Sequence, residues 1–246
     1  MSDIKAPSGK VYLVGAGPGA ADLITVRGAR LLAQAEAVLY DALVTPEMLE
    51  LCSQAVRIPV GKRSGQRSAA QEDINQKMIE CAHQYRLVIR LKGGDPMLFG
   101  RADEEMSALE RAGIDYDVVP GITTALAAAS SVRQPLTKRG IARSVALFTS
   151  STAPGENADT RIPDCDTLVQ YMGGREAMLT AQRMLNAGFS SDLPVMVIEN
   201  CSRTNQQSRS LTLSALAQGL PVSEGPVLVM MGEAMRARSG FSNSQC

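Results

Sequence analysis

The chain is constrained most by a regular alternation of short apolar runs and helical runs in its first half. The apolar runs begin near residues 10, 37, 56, 86 and 116, and a turn and a helical pattern follow each. Such alternation is typical of a parallel sheet with helices on both faces. Beyond residue 143 the strand-like runs lie closer together, which indicates a mixed sheet. The pattern predicts two α/β domains, residues 1–135 with a parallel sheet and residues 136–246 with a mixed sheet.

Composition excludes several classes of function. Of the 246 residues, 45% are hydrophobic and 20% charged, and the formal net charge is zero, so no global charge favours nucleic acid or an anionic membrane. Aromatic residues make up 4% and tryptophan is absent, which disfavours stacking on single-stranded nucleic acid. The five cysteines have no C-x-x-C spacing, and the single histidine, His83, lacks metal-ligand partners. Without a membrane-length apolar run, we expect a cytoplasmic, metal-free protein.

The segment from Arg90 to Arg101 combines a strand with a glycine loop. The apolar run 87–91 predicts a buried strand, after which Gly93 and Gly94 remove side chains and Pro96 ends the extended structure. Ligands of parallel α/β sheets collect at the carboxyl ends of strands, so Asp95 is placed at the ligand edge. A tight turn that Asp95 caps explains the same spacing equally well.

A second glycine loop, Gly15-Ala-Gly-Pro-Gly19, follows the first predicted strand. It departs from the dinucleotide fingerprint, because its third glycine comes two rather than three residues after the second. Pro18 also removes an N–H that phosphate binding would use. Both a close approach to a ligand and a plain strand-to-helix turn fit this loop.

Charged residues also gather at predicted strand ends. Asp41 ends the second strand, where an acid either faces a ligand or caps a turn. Basic residues are expected to line a cleft on the same side of the sheet, where they would suit a polyanionic, carboxylate-rich ligand. They are Lys62, Arg63, Arg67, Arg90, Lys92, Arg101, Arg133, Lys138, Arg139 and Arg143. The alternative for each is a solvated basic surface.

The order of these motifs resembles that of the uroporphyrinogen-III C-methyltransferases, within the tetrapyrrole methyltransferase group. The resemblance covers about residues 10 to 235. It is carried by Val14-Gly-Ala-Gly-Pro-Gly19, Tyr40-Asp-Ala-Leu-Val44, Val60-Gly-Lys-Arg63, the segment Arg90 to Gly100, Val119-Pro-Gly-Ile-Thr123, Gln134-Pro-Leu-Thr137 and Tyr171-Met172-Gly173.

The resemblance implies a homodimer that holds S-adenosylmethionine in a cleft between two α/β domains. The implied reaction adds methyl groups to carbons 2 and 7 of uroporphyrinogen III and gives precorrin-2 by way of precorrin-1. Precorrin-2 feeds sirohaem, cobalamin or haem d1 synthesis. Uroporphyrinogen is a polycarboxylate, which agrees with the gathered basic residues. Rival expectations are a methyltransferase of later corrin precursors and a non-catalytic tetrapyrrole- or cofactor-binding protein.

The resemblance also implies roles for individual residues. Asp41 matches the proton acceptor and Lys62 the proton donor, and Arg101 matches an arginine implicated in substrate handling or proton removal. The cofactor contacts would be Pro18, Gly93, Gly94, Asp95, Leu98, Thr123, Thr124, Met172 and Cys201. The substrate contacts would be Arg63, Glu104, Lys138 and Arg139.

At three places the chain departs from the family pattern. Ala102-Asp103 replaces two glycines, Lys138 replaces a histidine, and Cys201 replaces a glycine. We expect a stiffer turn at the first place, a retained carboxylate contact at the second and backbone strain at the third.

Overall fold

The computed structural model describes residues 9–61, 71–150, 161–223 and 225–237. Contacts divide the chain into two compact units, residues 1–123 and 124–246, and each unit contains a five-stranded sheet with helices. The predicted α/β class is confirmed, with a parallel first sheet and a mixed second sheet. The division predicted after residue 135 and the predicted placement of the active site stay predictions.

The first unit is a parallel sheet with the strand order β3-β2-β4-β1-β5. Its strands are β1 Lys10–Gly15, β2 Ala37–Tyr40, β3 Val56–Pro59, β4 Leu87–Lys92 and β5 Tyr116–Val119. Its helices are α1 Val26–Leu32, α2 Pro46–Glu50, α3 Gln71–Gln84 and α4 Ala102–Ala112. Because all five strands run in one direction, the loops that follow them meet at one edge of the sheet.

Helices cover both faces of this sheet. Leu13 and Leu39 pack into a cluster with Met78 of α3 and Leu109 of α4. On the opposite face, residues of β1, β2 and β4 pack against α1 and α2, and Leu32 of α1 is fully buried in this cluster. Burial on both faces explains why the inner strands β1, β2 and β4 are largely apolar, whereas the edge strand β3 is mostly exposed.

The second unit is a mixed sheet with the order β6-β7-β10-β8-β9, in which only β6 and β7 pair in parallel among the described strands. The strands are β6 Val145–Thr149, β7 Thr167–Tyr171, β8 Pro194–Glu199, β9 Gln207–Thr212 and β10 Val227–Met231. The helices are α5 Thr124–Ser131, α6 Gly173–Asn186 and α7 Leu213–Leu216. Ala125 and Ala128 of α5 join the core of this unit beside Ile198 and Met230.

The sequence also predicts a helix over about residues 22–33, a basic, turn-rich joint between the domains over 133–143 and a long polar loop over 150–162. The helix expected over residues 22–33 is a short 3-10 turn, Ala21–Leu23, followed by α1, because Thr25 caps α1 by accepting a hydrogen bond from the Gly28 N–H at 3.1 Å. The turn-rich segment 133–143 contains a tight hairpin that pairs Lys138 with Ala142. Most of the loop expected over 150–162 lies outside the described residues.

No helix that the structure describes has the length and apolar character to cross a membrane.

Candidate functional site

Three glycine-containing loops meet at the carboxyl edge of the first sheet. Gly17 and Gly94 exchange two backbone hydrogen bonds, with N–O distances of 3.1 and 2.7 Å. A Cβ on Gly121 would collide with the Gly94 carbonyl oxygen and lie 2.8 Å from the Cα of Gly15. The loops after β1, β4 and β5 therefore come into direct backbone contact, and Gly15 and Gly121 leave no room for a larger residue.

The Gly93-Gly94 turn presents bare backbone. Gly94 has a φ of 69°, and apart from Gly94 itself and its two chain neighbours, no heavy atom of the described residues lies within 4 Å of a Cβ built there. Pro18 lies in the neighbouring loop and is half-buried. This open, side-chain-free surface fits a ligand that approaches the backbone closely, as S-adenosylmethionine would have to do at this loop.

Asp95 ties two of these loops together. Its Oδ1 accepts a hydrogen bond from the Met97 N–H at 2.8 Å, and its Oδ2 accepts one from the Gly121 N–H at 2.9 Å. The turn-capping alternative therefore describes what this carboxylate does in the structure. Each carboxylate oxygen can accept a further bond, so a contact from Asp95 to ribose hydroxyls stays a prediction. Leu98 follows in the same turn and is half-buried.

Asp41 lies at the same edge, after β2. Its Oδ1 accepts from the Leu43 N–H at 2.9 Å, and its Oδ2 accepts from the Gly93 N–H at 3.3 Å. A Cβ on Gly61 would lie 2.7 Å from the Asp41 Cα, so the end of the β3 segment also reaches this point. The predicted donor Lys62 and its neighbours Arg63 and Arg67 lie outside the described residues. Their predicted roles are therefore untested.

Arg101 and Glu104 form an exposed, bidentate ion pair. Both nitrogen–oxygen distances are 2.7 Å, and the side chains are 58% and 47% exposed. The Arg101 guanidinium lowers the pKa of Glu104, which keeps that carboxylate ionised. Ala102 is buried as the first residue of α4, and the exposed Asp103 adds an acid to its first turn, which suits the helix dipole. The helix nevertheless starts from an unusual N-cap, because Arg101 has a φ of 56° and makes no side-chain cap hydrogen bond.

The prediction that Arg90 and Lys92 line a basic cleft is wrong. Their side chains are only 5% and 4% exposed, and both bind Glu105 of α4, which is fully buried. The Arg90 Nε lies 2.9 Å from Glu105 Oε1, and the Lys92 Nζ lies 2.7 Å from Oε2. Sequence reasoning missed Glu105, although two cations on one face of a buried strand require a buried acid.

The predicted substrate contacts of the second unit lie at the 138–142 hairpin. Lys138 is half-buried and Arg139 exposed. The ion pair with Arg236 lowers the pKa of Glu233, and the Lys138 ammonium adds a smaller effect in the same direction. Contacts from Lys138 and Arg139 to substrate stay predictions.

Met172 lies between β7 and α6, with a φ of 56° and a 51% exposed side chain. The hydroxyl oxygen of the preceding Tyr171 accepts a hydrogen bond from the Ala125 N–H at 3.0 Å. Thr123 and Thr124 immediately precede Ala125 and are half-buried. The second unit therefore brings the end of β7 to the start of α5, a link that the sequence did not suggest.

Cys201 packs in the core of the second unit rather than on its surface. The side chain is 4% exposed in a cluster that includes Ile198, and burial raises the pKa of its thiol to about 11. The expected backbone strain lies at its neighbours instead, since Asn200 and Ser202 have φ values of 51° and 56°. A cofactor contact through the Cys201 backbone stays a prediction.

In the native protein we expect iodoacetamide at pH 8 to modify Cys201 at least about ten-fold more slowly than Cys165, because alkylation requires an exposed thiolate. Cys165 is half-buried and serves as the internal control. Peptide mass spectrometry after timed labelling measures both rates, and denatured protein should label equally at both positions. Equal rates in the native protein would contradict the buried position of Cys201.

Comparison with known proteins identifies relatives that match most of the chain. Residues 10–217 match the family model described as Tetrapyrrole (Corrin/Porphyrin) Methylases. Siroheme synthase 2 of Yersinia pestis (strain Pestoides F) is 43% identical over 231 residues, which cover 92% of this chain and 49% of that protein. The chain therefore spans about half the length of the curated relatives that it matches.

Solved structures share the fold. Uroporphyrin-III C-methyl transferase from Thermus thermophilus, complexed with S-adenyl homocysteine, is 35% identical with a TM-score of 0.80, and the match covers 93% of this chain and 94% of that one. A cobalt precorrin-4 methyltransferase of cobalamin biosynthesis is 27% identical with a TM-score of 0.77, covering 93% and 96% of the two chains.

Proposed function

Since this chain belongs to the tetrapyrrole (corrin/porphyrin) methylase family, we propose that it methylates uroporphyrinogen III at carbons 2 and 7 with S-adenosylmethionine. The product would be precorrin-2, formed by way of precorrin-1. The observation that carries the proposal is the open backbone surface at Gly94. Asp41 lies next to this surface, because its carboxylate accepts a hydrogen bond from the N–H of the preceding residue, Gly93. The similarity to the Thermus thermophilus uroporphyrin-III enzyme supports this substrate.

Bound S-adenosylmethionine would supply an electrophilic methyl group and leave as S-adenosylhomocysteine. The chain's own task is to bring a pyrrole carbon into line with that methyl group and to accept the proton which the substrate loses. Asp41 is the proposed acceptor, since its carboxylate lies at the edge where the loops meet. Lys62 is the proposed proton donor.

Binding would be shared among the other predicted residues. Cofactor contacts are proposed for Pro18, Gly93, Gly94, Asp95, Leu98, Thr123, Thr124, Met172 and Cys201. Arg63, Arg101, Lys138 and Arg139 would bind substrate carboxylates. Glu104 would act on the substrate through Arg101, because it holds the guanidinium plane with two hydrogen bonds. A homodimer in the cytoplasm is part of the proposal.

The proposal covers methyl transfer alone, because the chain spans half of the relatives that carry the siroheme synthase name. A later corrin precursor is the second candidate substrate, favoured by the 27% identity to the cobalt precorrin-4 methyltransferase.

The test is anaerobic incubation of the purified chain with uroporphyrinogen III and S-adenosylmethionine, followed by mass analysis of the tetrapyrrole. We expect a gain of two methyl groups, and no gain when the methyl donor is omitted. A gain of one would limit the proposal to precorrin-1 formation. No gain from uroporphyrinogen III, with methylation of a later corrin precursor in a parallel reaction, would replace the proposed substrate.

A further inference from the structure

Arg101 holds a strained backbone conformation at the start of α4. Its φ is 56°, and its side chain makes no cap hydrogen bond to the helix. Phe99, two residues earlier, has a φ of 53°. A non-glycine residue in this left-handed conformation costs free energy, so it persists only where the surrounding structure holds it. The contacts around this turn therefore indicate what keeps the exposed Arg101 side chain in place.

The Lys92 side chain runs alongside this turn. A Cβ on Gly100 would lie 3.2 Å from the Lys92 Cε and 2.7 Å from the Pro96 carbonyl oxygen, so the turn is closed against the lysine stem. The ammonium of the same side chain lies 2.7 Å from Glu105 Oε2. One buried lysine of β4 thus reaches the residue before Arg101 and the residue four positions after it. Lys92, Gly100 and Glu105 together form a lysine bridge.

Further contacts fix the helical end of the lysine bridge. Glu105 is fully buried, and its Oε1 accepts hydrogen bonds from the Arg90 Nε at 2.9 Å and from the Gln71 Nε2 at 3.4 Å. The Asn75 Nδ2 of α3 donates to the Glu104 carbonyl oxygen at 3.4 Å. The first turn of α4 is therefore tied both to β4 and to α3.

Stability alone is a poor explanation of these buried charges. Among the ion pairs of the described residues, Arg90 and Lys92 share the single carboxylate of Glu105. Burying two cations with one anion is costly, and an apolar replacement of similar volume often leaves a protein equally or more stable. A buried polar network whose members are paired does, however, hold the elements that it joins in one arrangement. A positioning role for the exposed residue that the lysine bridge spans explains the cost better.

We propose that Lys92 is a positioning residue for Arg101, and that the lysine bridge holds residues 100–105 so that the Arg101–Glu104 pair keeps one orientation. The inference rests on the proposed function, because it gives Arg101 a place in methyl transfer. Lys92 is only 4% exposed, so it acts through Arg101 rather than on the substrate. A displacement of about 1 Å in a group that orients a substrate can lower a rate about 100-fold.

The kinetic test is a double-mutant cycle of Lys92→Met and Arg101→Ala in the full chain. Methionine keeps an unbranched side chain of similar length and removes the ammonium, while Glu105 keeps Arg90 as its partner. Alone, Lys92→Met should lower kcat about 30-fold and leave the affinity for S-adenosylhomocysteine within about three-fold. In the Arg101→Ala background it should lower kcat less than about three-fold, because the group that it positions is gone.

Arg90→Met is the matched control. Arg90 is as buried as Lys92, and its guanidinium binds Glu105 and the Leu91 carbonyl oxygen. Its replacement removes one of the two buried cations but leaves the lysine bridge in place. We expect Arg90→Met and Lys92→Met to shift the urea midpoint by similar amounts, with the kcat of Arg90→Met within about three-fold of the wild type.

A second test needs no substrate. It measures the motion of the Arg101 side chain by 15N relaxation of its Nε–H group, with the signal assigned by its loss in Arg101→Ala. In Lys92→Met we expect the order parameter to fall by at least about 0.2, toward the flexible range below about 0.6. Arg236 is the internal control, because its Nε also lies 2.7 Å from the carboxylate of an i,i+3 partner, Glu233. Its order parameter should not change.

An equal loss of kcat from Lys92→Met in both backgrounds would overturn the proposal, since Lys92 would then act independently of Arg101. An equal loss of kcat in Arg90→Met, or a parallel loss of cofactor affinity in Lys92→Met, would overturn it too, because general disturbance would be the cause. An unchanged order parameter of Arg101 has the same consequence. If Lys92→Met does not fold, Lys92→Gln takes its place, and if neither folds, the proposal falls.

The relaxation measurement does not depend on methylation, so it can succeed or fail apart from the proposed function. A lowered order parameter in a chain that does not methylate uroporphyrinogen III would keep the positioning of Arg101 and reject the proposed substrate. A lowered order parameter together with a wild-type kcat would overturn the role of Lys92 in methyl transfer.

Discussion

Replacing Gly121 by alanine is expected to lower the affinity for S-adenosylhomocysteine at least about 100-fold, or roughly 2.7 kcal/mol. The added methyl group would overlap the Gly94 carbonyl oxygen, and neither the Cβ nor this backbone oxygen can rotate away. The loops after β4 and β5 must then separate, and the hydrogen bond from the Gly121 N–H to Asp95 is lost. Overpacking of this kind destabilises a fold by about 1–3 kcal/mol.

Gly113→Ala is the matched control for this change. Gly113 has a φ of 67° at the end of α4, and a Cβ there would have no heavy atom of the described residues within 4 Å. The Gly113→Ala substitution should lower the free energy of unfolding by about 1 kcal/mol through backbone strain and leave cofactor affinity unchanged. Calorimetric titration and urea unfolding measure the two effects. Wild-type affinity in Gly121→Ala would show that the convergence of the loops does not form the cofactor surface.

Arg101→Ala is expected to lower kcat for methyl transfer about 1,000-fold while it leaves cofactor affinity within about three-fold. The guanidinium is exposed and its plane is fixed by Glu104, so it is available to a substrate carboxylate. Surface ion pairs contribute little to stability, so the unfolding temperature should change by less than about 3 °C. Single-turnover kinetics with S-adenosylmethionine measure the chemical step.

The chain offers a close match for this pair. Arg236 and Glu233 have the same i,i+3 spacing, a nitrogen–oxygen distance of 2.7 Å, and exposures of 57% and 48%, against 58% and 47% for Arg101 and Glu104. Arg236→Ala should therefore disturb stability as little as Arg101→Ala and leave kcat unchanged. If both variants lost activity to the same degree, the effect would be general, and full activity in Arg101→Ala would remove its proposed role.

Much of the architecture could be predicted because most strands of the first sheet are locally apolar and turn residues follow each of them. The sequence pattern predicts a helix over 71–84 and a strand over 116–119, and the structure has α3 at Gln71–Gln84 and β5 at Tyr116–Val119. The start of α1 was predicted too early, because the Thr25 cap outweighs the helical pattern that precedes it. The start of a helix can be predicted from sequence when a nearby N-cap residue such as Thr25 is weighed against the helical pattern.

The site was less predictable, since its contacts join distant segments. The bond from Lys92 to Glu105 spans 13 residues and connects a strand to a helix, so charge counting alone placed Lys92 on the surface. The reciprocal bonds of Gly17 and Gly94 depend on β1 lying beside β4, and that neighbour relation follows from the strand order rather than from either loop. By contrast, the positions of Asp41 and Asp95 at strand ends followed directly from the alternation.

The strand order has a consequence for biosynthesis. β1 is the first strand to be made, yet it lies between β4 and β5 in the finished sheet. At typical translation rates, the ribosome needs about 5 to 20 seconds to pass from Gly15 to Gly121. Throughout that interval the β1 edge that later pairs with β5 has no partner, which is the state in which a chain most readily binds chaperones or aggregates. A nascent chain that ends before Val119 should therefore depend on chaperones. In a longer chain, cofactor binding to the folded loops should stabilise the sheet against unfolding and aggregation.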